Sequence, residues 1–591
     1  MLIEIHSPLA GSVVAVCDGV RIPLGRVDDR WVGDVPDGSS YGILVDGDER
    51  GMDSGRMLVD PSATAVSFPR GHDRDRARPG SATNHEIAPR ALARSWPAPR
   101  PQRRTTRPLV VHETHARGLT KRRDRTDAGT FIALIDELPR LADLGISVIE
   151  LLPVHQFDPD EANYWGYMAL VFGAVHRQYA AGDDANEELA ELVEAAHEHD
   201  IEVWLDVVLN HTTEEDRTGP TYNLRGLADD DYYVVRDDGS YVDDAGCGNI
   251  VDTASPAVQR LLMQALERFA DLGVDGFRFD LATVLARDEP FVRSIGDWSE
   301  RRGVRLVAEA WDVANYRVGR SWPDQRWMQW NDRFRDDVRG FLRGEGGLVP
   351  AMIQRVQGSP DLFDDPTRTV NFLCAHDGFT LHDLVAYDRK HNEANGWDGR
   401  DGTDDNRSWN CGWEGEVGAP ELVVELRRRQ LRNAWTFLML SHGTPMHVAG
   451  DEFARTQLGN NNPYNQDNEI SWVDWSRRDR WIDLETFVGR LIAFRARHSI
   501  LTDHEWWADR VEWFGVGGSP DVGGHSRSLA WHLPGLYVMA NMWWEPLEFE
   551  VQAPGDWKRA IDTTVESGFV EPTSVGDAVR VGPRSIVVLE N

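Results

Sequence analysis

Between residues 109 and 451 the chain alternates short apolar runs with longer amphipathic ones, and the apolar runs number eight. Runs at 109–112, 147–152, 202–208, 274–279, 305–308, 327–330, 369–375 and 446–449 have the length and the β-branched and aromatic content of buried strands. Stretches at 131–144, 187–199, 256–272, 289–302, 333–343, 350–357 and 421–441 can bury one helical face between them. Strands separated by helices pair in parallel, because a parallel crossover needs a connection of a dozen or more residues. Eight such repeats predict an α/β architecture closed into a (β/α)8 TIM barrel. A barrel of this kind carries its chemistry at the C-terminal ends of its strands.

Polar residues fall at those ends. The third strand ends in Asp206 with Asn210 and His211 just beyond, the fourth in Asp280, the fifth in Glu309 and the seventh in His376 and Asp377. Barrel closure puts all four tips on one rim, so they converge on one pocket. Parallel neighbours lie about 4.7–4.9 Å apart, so Asp280 and Glu309 can reach the roughly 5–5.5 Å spacing that a retaining glycosidase needs. Arg278 stands two residues before Asp280 and shares its strand face; a guanidinium there keeps the carboxylate ionised. Alone, such a pair reads first as a structural ion pair, and the convergence of four tips is what favours a site.

Composition narrows the partners. With 591 residues the chain exceeds one core, and a net charge of −34 excludes nucleic acid, whose phosphates need a cationic face. The sequence has no run of 18 apolar residues, and its first residues lack a basic region followed by an apolar one, so the expectation is a cytoplasmic enzyme without membrane association. The four cysteines have no CxxC spacing, which gives no sign of a zinc site or a disulfide framework. Three lysines stand against sixty arginines. The 23 tryptophans suit sugar rings, whose C–H faces lie flat on aromatics, and equally suit a large core.

Outside the barrel, residues 1–68 read as a small β-sandwich, 69–107 as an irregular Arg- and Pro-rich connector lying on the acidic body, 108–475 as the catalytic barrel, and 476–591 as a final helix followed by a C-terminal all-β domain. The long stretch 379–420, rich in Asn, Gly, Asp and Trp, reads as a lid or binding wall after the seventh strand.

Four segments, 206–211 (DVVLNH), 276–280 (GFRFD), 308–309 (AE) and 375–377 (AHD), resemble the four signature regions of the α-amylase superfamily, glycoside hydrolase family 13. Segments 112–120, 163–167 (NYWGY), 246–249, 390–395 (KHNEAN), 450–457 and 459–462 are similar to its isoamylase and glycogen-debranching subgroup. The resemblance is strong over about 108–475. It implies that residues 1–68 are a shortened carbohydrate-binding module and that 541–546 belong to a C-terminal β-domain.

The resemblance also implies roles. Asp280 is the expected nucleophile, Glu309 the general acid and base, and Asp377 the transition-state stabiliser. Tyr167 and Trp165 are expected to stack on or line the sugar, His211 and His376 to donate to its hydroxyls, and Arg278 to hold Asp280 ionised at the sugar. Asp206 and Asn210 are expected to brace the site. In some members such residues help hold calcium, but a full shell needs about six to eight oxygens that the sequence does not assemble, so no metal and no cofactor is expected to be required. The implied substrate is a branched α-glucan, glycogen or its limit dextrins, cleaved at α-1,6 linkages with retention. An α-glucan transferase or a trehalose-releasing hydrolase would share these strand tips, and a catalytically inactive glucan-binding protein is the reading outside enzymology. Oligomeric state is left open.

Overall fold

A computed structural model describes residues 1–47, 52–81 and 83–591. Its centre is a closed parallel barrel whose eight strands follow one another in chain order. The strands are Val111–Thr114, Val148–Leu151, Glu202–Val207, Gly276–Phe279, Arg305–Ala308, Met328–Asn331, Thr369–Phe372 and Thr444–Val448, within a few residues of the expected positions. Period-two alternation sends one set of side chains inward. Val111, Val148, Trp204, Val307, Met328, Trp330, Val370, Phe372 and Met446 meet there as one apolar cluster. Gly276 is part of that packing: a Cβ on it would lie 2.6 Å from the Trp204 ring, so the absence of a side chain on strand four makes room for the indole of strand three.

Helices cover the outside, and their ends follow the sequence. In Glu289–Arg302 the Asp288 carboxylate accepts the Phe291 N–H at the start, and Gly303 ends the helix at φ 73°. The expected helix at 131–144 is two helices, Phe131–Ile135 and Leu138–Leu144, broken ahead of Pro139. A two-stranded hairpin, His155–Phe157 with Ala169–Val175, and a helix, Leu224–Tyr232, stand in loops that carry no periodic signal. The helix is bent at Ala228, whose φ and ψ are −164° and 73°.

The N-terminal part has a three-stranded and a five-stranded sheet. The larger sheet takes in Arg90–Leu92, which pairs with Ser40–Asp46, so it draws a strand from the stretch read as irregular connector. The connector's arginines bond to the barrel's acids, Arg74 to Asp158 and Glu215 at 2.8 and 2.7 Å and Arg100 to Glu187 at 2.6 Å. The C-terminal part follows helix Ile482–Arg497 as a six-stranded antiparallel sheet packed against a two-stranded one. It includes strands Lys558–Asp562 and Phe569–Ser574, which alternation did not reveal. Among the described residues no helix is long and apolar enough to cross a membrane.

Candidate active site

Arg278 is the hub of the rim. It points inward from strand four, 1% exposed, with its guanidinium 4.0 Å from the centre of the Trp330 ring. Its Nη1 donates to Asp206 Oδ2 at 2.7 Å and to Asp280 Oδ1 at 3.3 Å, and its Nη2 donates to Glu309 Oε2 at 2.7 Å. One cation thus serves the tips of three adjacent strands. Such an arrangement lowers the cost of bringing like charges together, and it fixes the carboxyls of Asp280 and Glu309 on two nitrogens of a single planar group. Asn210 holds Asp280 from the other side, its Nδ2 donating to Oδ2 at 2.8 Å and to the Asp280 carbonyl at 2.7 Å. The next residue, Leu281, takes a left-handed φ of 38°, a conformation costing on the order of 1–3 kcal/mol, and its N–H donates to Glu309 Oε2 at 3.1 Å.

The two carboxyls are therefore in different environments. Burial, with the Asp280 and Asp377 charges adding to it against Arg278, pushes Glu309 up to about 8. Because Oε2 accepts both bonds, Oε1 is left to carry the proton at neutral pH. Burial also pushes Asp206 up to about 6 despite its contact with Arg278. Asp377 stands exposed at the mouth, and its neighbour Gly378, at φ 117°, turns the chain so that its N–H donates to the Asn461 carbonyl at 2.8 Å.

His376 is held from below. Its Nδ1 lies 2.8 Å from Glu113 Oε1 and 3.3 Å from the Tyr167 hydroxyl. Burial alone would lower this imidazole, but the Glu113 carboxylate outweighs it and brings His376 to about 9, so the ring is cationic at neutral pH. The Tyr167 ring stacks on His376 with centroids 4.8 Å apart, and its hydroxyl donates to Asp206. Gly166 makes this turn feasible: at φ 92°, a Cβ there would lie 2.8 Å from the Pro153 carbonyl.

Two residues expected to face sugar are turned elsewhere. His211 is 2% exposed and spends both ring nitrogens on the protein, Nδ1 on the Asn210 side-chain oxygen and Nε2 on the Tyr167 carbonyl at 2.6 Å. Trp165 is 8% exposed and packs edge-on against His376 and Tyr464, as a wall behind the site. Arg278 likewise lies beneath the carboxyls.

Two acids escaped the sequence reading. Glu113 and Glu150 sit opposite each other on strands one and two, both pointing into the barrel. Burial, with Glu113 and Asp206 adding to it, pushes Glu150 well above the carboxylate range, so it is a neutral acid, and neither of its oxygens has a hydrogen-bond partner among the described residues. Their signal was available: each is an acid inside a short apolar strand, in phase with the inward positions. The stretch 379–420 is pinned rather than loose. Asn392 and Asn461 exchange two hydrogen bonds at 2.8 and 3.0 Å, and Asn395 donates to the Asn462 carbonyl at 2.8 Å. Above them Trp397, exposed, donates through its indole N–H to the Tyr464 hydroxyl at 2.6 Å.

Among the described residues, two clusters bring three metal-type donors together, His112 with His447 and Glu452, and His72 with Asp158 and Asp160. In each, an arginine already holds a carboxylate, Arg140 on Glu452 at 3.0 Å and Arg74 on Asp158 at 2.8 Å. The charge a cation would supply there is supplied by a guanidinium.

The family model described as "Alpha amylase, catalytic domain" matches residues 115–246. The chain is 36% identical over 584 residues to the "Glycogen operon protein GlgX homolog" of Mycobacterium tuberculosis, covering 89% of this chain and 80% of that protein. It is 37% identical over 545 residues to the "Glycogen debranching enzyme" of Dickeya chrysanthemi, covering 84% and 82% respectively. Against "Isoamylase 1, chloroplastic" of Oryza sativa identity is 34% over 522 residues, with 76% and 65% covered. Among solved structures the pullulanase type I of Bacillus subtilis, solved with maltose, aligns at a TM-score of 0.79 and 21% identity, over 100% of this chain and 83% of that one, a likeness of fold.

Proposed function

The chain belongs to the glycogen-debranching and isoamylase family, and on that premise we propose that it hydrolyses the α-1,6 branch linkages of glycogen and limit dextrins with retention of configuration. The observation that carries the mechanism is the shared guanidinium: Arg278 holds Asp280 and Glu309 side by side while burial keeps a proton on Glu309.

In the first step an Asp280 oxygen attacks the anomeric carbon as the glycosidic bond breaks, and the departing oxygen takes the Glu309 proton. Arg278 and Asn210 hold Asp280 in line for attack. In the second step Glu309, now a carboxylate, removes a proton from water as that water attacks the same carbon, and Asp280 leaves as a carboxylate. Two inversions give net retention. Charge develops on the sugar ring in the transition state of each step, and Asp377, exposed at the mouth, accepts hydrogen bonds from ring hydroxyls that strengthen with it. Cationic His376 donates to a neighbouring hydroxyl, and Tyr167 supplies the flat face beneath the ring. His211 and Asp206 position rather than touch: one fixes Asn210 and the Tyr167 backbone, the other the Tyr167 hydroxyl and Arg278.

The test is product analysis on phosphorylase-limit dextrin and on linear maltoheptaose, with wild type and Glu309→Gln. Linear chains released from the dextrin alone, with the variant silent, are the expected result. Maltoheptaose shortened or redistributed into longer chains would replace debranching by an amylase or transferase activity.

A further inference from the structure

At the end of the barrel opposite the site, a cavity of about 850 Å³ opens under the N-terminal ends of the strands. Its walls are cationic in a protein of net charge −34: Arg104, Arg107, Arg305, Arg326 and Arg495 line it, against two acids, Glu300 and Asp503. Both acids are already engaged, Glu300 by Arg326 at 3.2 Å and Asp503 by Arg510 at 2.6 Å.

Arg326 is also held by Asp297 and Asp324, each at 2.6 Å, so the under-paired cations of the wall are Arg104, Arg305 and Arg495. Arg104 and Arg305 share one carboxylate, Glu202, at 3.6 and 3.0 Å, so two guanidiniums face a single negative charge. Arg495 is 2% exposed and donates only to carbonyls, those of Met439, Ser441 and Gly443 at 2.6–2.7 Å. Those carbonyls lie at the end of helix Glu421–Leu440, whose dipole offers roughly half a negative charge, and no carboxylate completes the balance among the described residues. The Arg495 Nε and the Nδ1 of His442, also on the wall and 1% exposed, have no hydrogen-bond partner among the described residues. Buried charge that is not paired is expensive, and a cavity that gathers it is built for the counter-charge. The volume lies within the usual range of about 300–1,000 Å³ for small-molecule sites, more than a bare oxyanion fills. Thr105, Ser299 and Thr502 add hydroxyls to the wall.

We propose that this cavity binds a small phosphorylated sugar, its phosphoryl group docked against Arg104 and Arg305 in the field of Arg495, and its hydroxyls on the threonine and serine side chains. The site is separate from the catalytic rim, because strand five carries Arg305 at one end and leads to Glu309 at the other.

Calorimetric titration of the full chain with glucose 6-phosphate tests it, alongside glucose and inorganic phosphate at matched ionic strength, for wild type, Arg104→Gln and Arg495→Met. Expected are saturable binding of glucose 6-phosphate, at least tenfold weaker binding of both other probes, and at least tenfold loss in Arg104→Gln with limit-dextrin hydrolysis unchanged. Arg104 is part-exposed, so its variant keeps the test valid if Arg495→Met fails to fold. Absence of binding, or affinity unchanged in Arg104→Gln, overturns the site; inorganic phosphate binding as tightly as the sugar phosphate overturns the sugar.

Discussion

Glu113→Gln removes one charge beneath the site and keeps the shape. In the wild type the carboxylate, 2.8 Å from His376 Nδ1, overrides burial and carries the imidazole from 6.5 to about 9. That displacement is worth about 3 kcal/mol in favour of the cation. At pH 7.5 roughly 97% of the rings are protonated; with a neutral amide in place of Glu113, only the Asp377 charge still opposes burial and the value falls, leaving the ring mostly neutral at that pH. A charge-assisted hydrogen bond to the sugar then becomes a neutral one, a loss of about 1–2 kcal/mol, or about tenfold in kcat/KM at pH 7.5. The assay is the pH profile of kcat/KM on limit dextrin, followed by reducing ends. The wild type should hold its rate up to the basic limb set by Glu309, which must be protonated to donate and is lost as pH rises through about 8. The variant's limb should move to lower pH, with activity recovering as the pH falls. The same linkage has a sign in stability: a group raised on folding contributes fully below its unfolded value, so the wild type should lose stability from about pH 6.5 to 9 and Glu113→Gln should not. A variant with an unmoved basic limb would refute the claim that Glu113 keeps His376 cationic.

Three further outcomes follow. Glu309→Gln should lower debranching by at least about 10³-fold while still consuming α-maltosyl fluoride, whose leaving group needs no proton; Asp280→Asn should consume neither substrate. Arg74→Gln removes the guanidinium that Asp158 and Glu215 share, leaving them His72 and the more distant Arg78, and should lower the midpoint of thermal unfolding, for a cost of about 3 kcal/mol, read by calorimetry. Trp397→Ala removes the exposed end of the aromatic series His376, Trp165, Tyr464, Trp397, and should raise KM for branched chains about fivefold with kcat unchanged.

The barrel was legible because each strand is a short apolar run bounded by polar residues, and strand register then determines which side chains share the interior. That is why Asp280, Glu309 and Asp377 could be placed on one rim from sequence. What the sequence hid depends on three-dimensional partners. His211 reads as a rim donor, and only its contacts with Asn210 and the Tyr167 carbonyl reveal a brace. Glu113 and Glu150 went unread because only the register sets them side by side inside the barrel. Arg90–Leu92 lies in a stretch whose arginines and prolines suggested an irregular connector lying on the acidic body, yet it joins a sheet by pairing with Ser40–Asp46 and Val66–Ser67.

Arginine does work in this molecule that lysine could not. Arg225 alone donates to five backbone carbonyls in the loop after strand three, those of Glu214, Glu215, Asp216, Gly219 and Pro220. The three lysines left are unequal: Lys390 is bound to the Gly402 carbonyl and Asp404, each at 2.9 Å, Lys121 is half-buried, and Lys558 is exposed on the C-terminal sheet. Acylating reagents therefore meet very few side-chain amines, and of these Lys558 is the one most open to an amine-reactive support, on a domain outside the catalytic rim. Dicarbonyl reagents that attack guanidiniums would strike the clasps that hold the loops together.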